Sequence, residues 1–363
     1  MLRDALLLAV ALSTSTTVVL GGQPPARGSS ARTPPDELLW QEICRLDRQP
    51  AEPGQYELRL ARLRESRQAL LEKVRQYLTT YPGGPRRDAA VRIELRTLFD
   101  LGTLAGGDYE LLCRQVDEYL QRPPSRAALH EAAYWAIYCA RLGTRAPASA
   151  PASAPFGLLD PQLLGAYREY ITRYPDSRHV PRMATVLFDA AAQRHDLEQM
   201  RELVGRLERS FPEHLATATL RARLRRREAV GRPFVFSFES PEYGKVDTAR
   251  WRGEPVLIVA WASFCPAARE CVSQVEALRA AHRELHVVGV NLDASPERMR
   301  AACAELGLDW PQFNDRRGWA NSFVLQWGVR RIPWVFVIDR AGRLVGSGGT
   351  DEWRELAERT LAN

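Results

Sequence analysis

A cysteine with the surroundings of a nucleophilic thiol occurs in the segment WASFCPAAREC, residues 261–271. Cys265 directly follows the apolar run PVLIVAWAS, which predicts a strand, and Pro266 suits the first position of a helix. A sulfur at such a junction lies at the positive end of the helix dipole, which stabilises a thiolate. The residue types therefore point to the chemistry of thiols and disulfides.

Groups on the following helix are expected to make this thiol reactive. The free N–H groups of Ala267 and Ala268 would point toward the sulfur, and Arg269 adds a positive charge one turn on. The reaction these groups favour is attack of a thiolate on a disulfide. From these residues alone, however, Cys265 is better interpreted as an inert cysteine that caps the helix.

A two-cysteine redox site needs a second thiol three residues after the first, and this chain has Ala268 there. Cys271 is six residues from Cys265, which along a helix is about 9 Å of rise and a rotation of ~240°. A disulfide needs Cα atoms within about 7 Å. Cys271 also shares an apolar stripe with Val272 and Val275. A core position is its favoured interpretation, with a resolving thiol as the alternative.

The other cysteines carry no ligand-type spacing. Cys303 falls on an apolar helix face and is expected to react only when the protein unfolds. Cys44, Cys113 and Cys139 lie in the N-terminal half of the chain. Cys113 and Cys139 fall on successive predicted helices and are close enough in sequence to bridge, but the sequence leaves the pairing of these three open.

Composition and motifs predict no nucleic acid, metal or cofactor. The 50 basic and 44 acidic residues are interspersed, with a formal net charge of +6, so the chain has no basic stripe. His282 and His286 are four apart at a predicted helix end, but no third ligand is near. Lys245 precedes a valine rather than serine or threonine, which excludes a phosphate-binding loop.

The start of the chain predicts export. Residues 1–22 combine a short basic start with an apolar stretch that is shorter than the ~20 residues of a spanning helix. We interpret them as a signal peptide, with an uncleaved N-terminal anchor as the alternative and as the sole route to a membrane. Export would place the protein in the periplasm or cell envelope, where disulfide chemistry is favoured. Residues 23–35, rich in proline, glycine and serine, predict a linker.

Residues 36–230 predict an all-α domain of helical hairpins. A phrase that ends in proline recurs as YLTTYP, YITRYP and RLERSFP, and more weakly as YLQRPP. Each copy is expected to end one helix, and repetition every ~35 to 50 residues is typical of stacked hairpins. The segment resembles divergent tetratricopeptide-like repeats, which implies a surface for a protein partner. The run APASAPASAP, residues 146–155, predicts a flexible insert.

Residues 231–363 predict an α/β domain. The runs RPFVFSF, PVLIVAWAS, LHVVGVN and WVFVIDR are strand-like and are separated by helical stretches, one starting at Ser295-Pro296 and another near Thr350. The segments VGRPF, PVLIVAWASFCP, VVGVNLD and GVRRIPWVFVIDRAGRLVG resemble, in order and spacing, the TlpA-like thioredoxin-fold proteins (related to AhpC/TSA), which are envelope thiol-disulfide oxidoreductases. The expected fold is therefore an all-α helical-repeat domain followed by an α/β thioredoxin-like domain.

The resemblance implies a role for Pro333. In this family the corresponding proline follows a cis peptide and lies against the active cysteine, and backbone beside it pairs with an incoming peptide. A cis Ile332–Pro333 bond beside the sulfur of Cys265 is expected, and it shifts the interpretation of Cys265 from inert to reactive. The residues expected to support this site are Trp261, Phe264, Pro266, Ala268, Arg269, Ile332 and Pro333.

The chain also departs from the family. Besides Ala268 at the resolving position, Phe264 stands where tryptophan is usual, and Cys271 where the family has its carboxylate. Val259 occupies the buried-acid position of thioredoxins, and Ala262 lacks the threonine that a peroxiredoxin would need. The partner thiol and both acids are absent together, so a two-cysteine reductase cycle is not expected.

Two classes of function fit these patterns. In the first, Cys265 performs thiol-disulfide exchange or peptide-thiol recognition with protein or peptide thiols and disulfides, which dock beside Pro333. In the second, the protein is a non-enzymatic interaction scaffold, whose repeats bind partners while the thioredoxin domain is redox-degenerate.

Overall fold

The computed structural model describes residues 34–48, 56–142, 160–349 and 352–362. The predicted signal peptide, nearly all of the predicted linker and the predicted insert lie outside these ranges. Within them, no helix combines the length and apolarity that a membrane span requires. The chain divides into two compact units, Met1–Val180 and Pro181–Asn363. The domain border was predicted between residues 230 and 231, where the sequence changes from helical to strand-like. This border stays a prediction.

The first unit is helical throughout its described residues, and helices that are neighbours in sequence pack on one another. The core of its first hairpin contains Ile43, Leu70, Val74 and Tyr77, all fully buried. Its helices are α1 (Pro35–Asp47), α2 (Tyr56–Thr80), α3 (Arg87–Leu104), α4 (Glu110–Gln121), α5 (Arg126–Leu142) and α6 (Pro161–Arg173).

The second unit opens with three more helices and continues into the α/β part of the chain. The helices are α7 (Val180–Gln193, whose first residue belongs to the first unit), α8 (Leu197–Ser210) and α9 (Leu215–Glu228). The strands and helices that follow are β1 (Ser237–Ser240), β2 (Gly244–Asp247), β3 (Val256–Trp261), α10 (Pro266–Ala281), β4 (His286–Asn291), α11 (Pro296–Leu306), β5 (Gln312–Phe313), α12 (Ser322–Trp327), β6 (Trp334–Ile338), β7 (Leu344–Gly348) and α13 (Glu352–Ala362).

The helix ends confirm the interpretation of the recurring proline phrase. Helices α2, α4, α6 and α8 each end two residues before the first proline of the phrase. In the two clearest copies, the aromatic residue before the proline closes the last helical turn: Tyr81 N donates to Tyr77 O at 2.9 Å, and Tyr174 N to Tyr170 O at 2.8 Å. Tyr170 is buried and its hydroxyl lies 2.7 Å from Ser177 Oγ in the next turn. The tetratricopeptide-like assignment itself stays a prediction.

The second unit contains a mixed five-stranded sheet of order β5-β4-β3-β6-β7 and a separate β1–β2 hairpin. Strands β3, β4 and β5 are parallel, whereas β6 is antiparallel to β3, and β7 to β6. The predicted fold class is confirmed: helices are followed by a mixed-sheet, thioredoxin-like domain. The predicted helix start at Ser295-Pro296 is also confirmed, because Ser295 accepts a hydrogen bond from Arg298 N as the N-cap.

The run RPFVFSF, residues 232–238, was predicted as one strand, and this prediction is wrong for its first five residues. Pro233 makes only an isolated bridge with Arg343, and regular pairing begins at Ser237. Proline has no N–H to donate, so a strand ladder cannot continue through it. The short strands β2, β5 and β7 were not predicted.

The sheet is packed on both faces, which explains why β3 is a continuous apolar run. On one face Val259 and Trp261 pack with Val272 of α10 and Trp353 of α13. On the other face, Ala260 packs with a cluster rich in phenylalanine: Phe234, Phe238, Phe323 and Phe336. Because side chains alternate along a strand, burial of both faces fixes the register of β3 against its neighbours.

A glycine in β4 makes room for a polar contact beneath the end of β3. Trp261 Nε1 donates to Gln312 Oε1 at 3.0 Å, and both side chains are buried. Gly289 is the register partner of Gln312, and a Cβ added there would lie 1.8 Å from that Oε1 atom. The glycine is therefore required for Gln312 to reach Trp261.

The substitution Gly289→Ala is expected to destabilise the second unit by at least roughly 1–3 kcal/mol, since the new methyl group displaces Gln312 and leaves Trp261 Nε1 unpaired. Urea unfolding followed by tryptophan fluorescence measures the change. Gly205→Ala in α8 is the matched control, because its Cβ would meet only the Arg209 guanidinium at 3.6 Å. It is expected to be neutral or stabilising by up to about 1 kcal/mol. Equal stability of the two variants would contradict the argument.

Candidate functional site at the end of the central strand

Cys265 lies where the sequence places it, at the junction between β3 and α10. It is the N-cap residue of α10, and Pro266 is the first helical residue. The carbonyl of Cys265 accepts hydrogen bonds from Ala268 N at 3.1 Å and Arg269 N at 3.0 Å, which begins the helix. Phe264 is 62 % exposed and Pro266 is also exposed, whereas the Cys265 side chain is half-buried between them.

The Cys265 thiol lies beside Pro333, as the sequence predicts. The Ile332–Pro333 peptide bond is cis, as predicted. Cys265 Sγ donates to Ile332 O at 3.7 Å, so the sulfur lies beside this peptide. Pro333 is buried, and Ile332 packs against both core clusters of the sheet. A thiol and a backbone carbonyl from opposite strands thus meet at one end of the sheet.

The helix N–H groups were predicted to point toward the Cys265 sulfur, and this prediction is wrong. The Cys265 side chain receives no capping hydrogen bond from the described first turn, and Ala268 N–H is directed to the Cys265 carbonyl instead. The backbone oxygen takes this donor because it lies in line with the helix axis. Arg269 forms an ion pair with Glu305, so its charge is shared with a carboxylate of α11.

The position of a second active-site thiol is occupied by a methyl group that faces the core. Ala268 is fully buried and packs with Cys271 and Val272. Cys271 is buried as well, and burial is the main cause that raises its pKa to about 12. Trp353 packs in the same core cluster, and its Nε1 atom is buried without a hydrogen-bond partner in the described part of the chain. The favoured interpretation of Cys271 as a core residue is confirmed.

Cys303 differs from its prediction. It packs against the same core cluster but is half-buried rather than closed to solvent. Its pKa is raised to about 11, first by burial and then by the negative charges of Glu242 and Asp293. Slow reaction in the folded protein is therefore expected, where the sequence suggested none before unfolding.

Asp293, which was not predicted as a site residue, holds the loop before Cys265. Asp293 is 2 % exposed and follows the end of β4. Its carboxylate accepts Ser263 N at 3.1 Å, Ser263 Oγ at 2.8 Å and Asn291 Nδ2 at 2.8 Å. The segment VVGVNLD contained a usable signal, since polar residues that follow two adjacent parallel strands meet at one edge of the sheet.

The segment before the cis proline is held by helix α9. Arg226 Nη1 donates to Trp327 O at 2.8 Å and to Gly328 O at 3.0 Å, and its guanidinium lies 4.7 Å from the ring centre of Trp334. Arg331 lies 5.2 Å from the same ring centre. Burial lowers the pKa of Arg226 to about 10, and nearby arginines of the same charge add to this effect. Cation–π and carbonyl contacts thus fix both ends of the turn that carries Ile332.

The C-terminal part of the chain is similar to known proteins. Residues 234–361 match the family model described as Redoxin. The thiol:disulfide interchange protein HelX of Rhodobacter capsulatus is 30 % identical over 93 residues, which are 26 % of this chain and 51 % of HelX. The chain therefore spans about half the length of the curated relative it matches.

Solved structures also resemble about a third of the chain. A thiol-disulfide oxidoreductase from Bacteroides fragilis is 22 % identical with a TM-score of 0.30, over 34 % of this chain and 97 % of that one. A secreted disulfide oxidoreductase of Mycobacterium tuberculosis is 18 % identical with a TM-score of 0.31, over 35 % of this chain and 96 % of that one.

In the folded protein, iodoacetamide is expected to label Cys265 before Cys271 and Cys303. The pKa values of about 12 and about 11 keep the latter two thiols protonated at pH 8, and the thiolate is the form that reacts. Because the shift is upward, labelling of Cys303 should still be increasing roughly tenfold per pH unit at pH 9. Peptide mass spectrometry measures each rate, with urea-unfolded protein as the control in which all thiols react. Labelling of Cys271 at the rate of Cys265 in folded protein would contradict this.

Asp293→Asn is expected to lower the free energy of unfolding by about 1–3 kcal/mol, because an amide cannot accept all the hydrogen bonds that Ser263 and Asn291 donate. Ser263→Ala removes only the hydroxyl donor and should cost less, about 0.5–1.5 kcal/mol. The exposed Asp309→Asn is the control and should change stability by less than ~0.5 kcal/mol. Urea unfolding gives all three values, and an Asp293→Asn variant as stable as the control would rule out this role.

Proposed function

We propose that this protein carries out thiol-disulfide exchange through the single thiol of Cys265, with protein or peptide thiols and disulfides as partners. The observation that carries the proposal is the 3.7 Å contact between Cys265 Sγ and Ile332 O, beside cis Pro333. The Redoxin family match of the surrounding domain and the interchange function named for HelX support the same chemistry.

The reaction begins when the Cys265 thiolate attacks one sulfur of a partner disulfide. A bond forms between Cys265 Sγ and that sulfur, the partner's S–S bond breaks, and the second partner sulfur leaves as a thiolate that takes up a proton. In the mixed disulfide the Cys265 sulfur is oxidised and the departing partner sulfur is reduced. A second thiol then attacks the partner's sulfur, a new disulfide forms outside the chain, and Cys265 leaves as a thiol. That thiol must come from outside the site, since Ala268 has none and Cys271 is buried with a pKa of about 12.

The partner is proposed to dock along the turn that carries Ile332. The backbone of this turn is held from behind by the contacts of Arg226 with Trp327 and Gly328, so it can pair with an extended peptide without rearranging. Across the sulfur, the exposed ring of Phe264 offers an apolar surface to the same peptide. We place this reaction in the periplasm or cell envelope, because residues 1–22 suit an export signal.

A second candidate is the non-enzymatic scaffold, with partners bound on the helices of residues 36–230. Two observations favour it: the methyl group of Ala268 fills the resolving position, and the charge of Arg269 is paired with Glu305. In this proposal the thioredoxin-like domain keeps its fold and has lost its redox role.

Exposure to a disulfide-linked peptide is expected to give a mixed disulfide on Cys265 that persists until an external thiol is added. Insulin reduction with dithiothreitol should be poor in the parent protein and at least tenfold faster in Ala268→Cys, which supplies the missing resolving thiol. Intact mass and an insulin turbidity assay measure the two effects.

Cys265→Ser should abolish both the adduct and the turnover, and Cys303→Ser should leave both unchanged. Folding of each variant is checked by circular dichroism, because the new sulfur at position 268 enters a packed core. A folded parent protein that forms no adduct on Cys265 would favour the scaffold. Robust insulin reduction by the parent that Cys271→Ser removes would identify Cys271 as a resolving thiol.

A further inference from the structure

A second pair of thiols lies in the helical first unit. Cys113 is near the start of α4, Cys139 is near the end of α5, and these two helices pack along each other. Both thiols are half-buried, and they are near enough that the Cys113 thiol, after burial, is the next cause that raises the pKa of the Cys139 thiol. Cys44 in the same unit differs: burial raises the pKa of its thiol, and the other groups that act on it are charged side chains rather than a second thiol.

We propose that Cys113 and Cys139 form an intramolecular disulfide that joins α4 to α5. Only residues 122–125 separate the two packed helices, so the start of α4 and the end of α5 lie at the same end of the hairpin. A disulfide there needs Cα atoms within about 7 Å and sulfurs about 2.05 Å apart. The link closes a chain segment that includes the turn between the two helices. It is independent of the reaction proposed for Cys265.

The oxidant is a disulfide, either a small molecule such as oxidised glutathione or a protein disulfide. Burial and the neighbouring thiol both raise the pKa of Cys139, which makes it a poor first nucleophile. The Cys113 sulfur therefore attacks first, forming a mixed disulfide and releasing one thiol. Cys139 then attacks Cys113 Sγ and releases the second thiol. Two protein thiols and one external disulfide give one protein disulfide and two external thiols.

The second step becomes easier once the first has occurred. After burial, the thiol of Cys113 and its negative charge are the largest causes that raise the pKa of Cys139. Both disappear when Cys113 is bound in a mixed disulfide, so Cys139 loses its proton more readily at the stage where it must attack. The same proximity that suppresses the free thiolate favours closure of the disulfide.

Helix α4 is the element that gains most from this link. It is only 12 residues long, and its fully buried apolar residues are Leu112 and Val116. At its far end, Tyr119 OH donates to Glu94 Oε2 of α3 at 2.5 Å. Near the first turn of α4, Leu112 is the fully buried apolar side chain. The disulfide would add a covalent attachment to α5 at this end of the helix.

The test equilibrates the full chain with mixtures of oxidised and reduced glutathione and then blocks free thiols with N-ethylmaleimide at low pH. Digestion with trypsin without reduction separates the peptide 97–114, which contains Cys113, from 127–141, which contains Cys139. We expect these two peptides to be recovered as one disulfide-linked species that disappears after reduction. Recovery of both as maleimide adducts, or as two separate glutathione adducts, in the oxidising mixtures would overturn the proposal.

Variants separate this link from other thiol chemistry. Oxidation should raise the midpoint of thermal unfolding of the helical unit by roughly 5–15 °C in the parent protein. The same rise is expected in Cys44→Ser and in Cys265→Ser, so failure of the proposed exchange reaction leaves this result unaffected. Cys113→Ser and Cys139→Ser should each remove the rise. The peptide measurement on the parent protein decides the question even where a variant folds poorly.

Discussion

The register between the two central antiparallel strands is the constraint from which the site follows. Ala260 of β3 pairs with Trp334 of β6. Because the strands are antiparallel, the next residue of β3, Trp261, lies opposite Pro333, which precedes β6. The chain leaving β3 then reaches Cys265 at the level where the cis proline enters β6. Because β3 is buried on both faces, a shift of one residue would turn Val259 and Trp261 out of their core, so the register and the meeting of thiol and carbonyl are fixed together.

The carboxylates near Cys265 accept hydrogen bonds or form ion pairs with other groups. Asp293 accepts hydrogen bonds from Ser263 and Asn291, and these bonds hold the loop before Cys265 in place. Glu305 neutralises Arg269 outside the helix start. In the proposed exchange, a proton released by Cys265 would therefore pass to solvent or to the partner, which agrees with the half-buried position of the sulfur.

Local patterns predicted the parts of the fold that local forces determine. Continuous apolar runs gave β3, β4 and β6, Ser295-Pro296 marked a helix start, and prolines marked four helix ends. Long-range contacts were beyond such patterns. The strand β7 contains two glycines and forms only because β6 offers an edge, and Arg226 meets Trp327 and Trp334 across about a hundred residues of chain. The direction of Ala268 N–H toward a carbonyl depended on backbone geometry that residue types do not specify.

The attachment of α9 to the sheet affects how the protein can be dissected. Gly328 has a positive φ of 61°, and a Cβ there would lie 3.0 Å from Arg223 N, so helix and turn are in direct backbone contact. A fragment that began at residue 231 would lose Arg226, expose the ring face of Trp334 and leave the carbonyls of Trp327 and Gly328 to water. The smallest piece that preserves the environment of the cis proline therefore begins before α9, well ahead of the first strand.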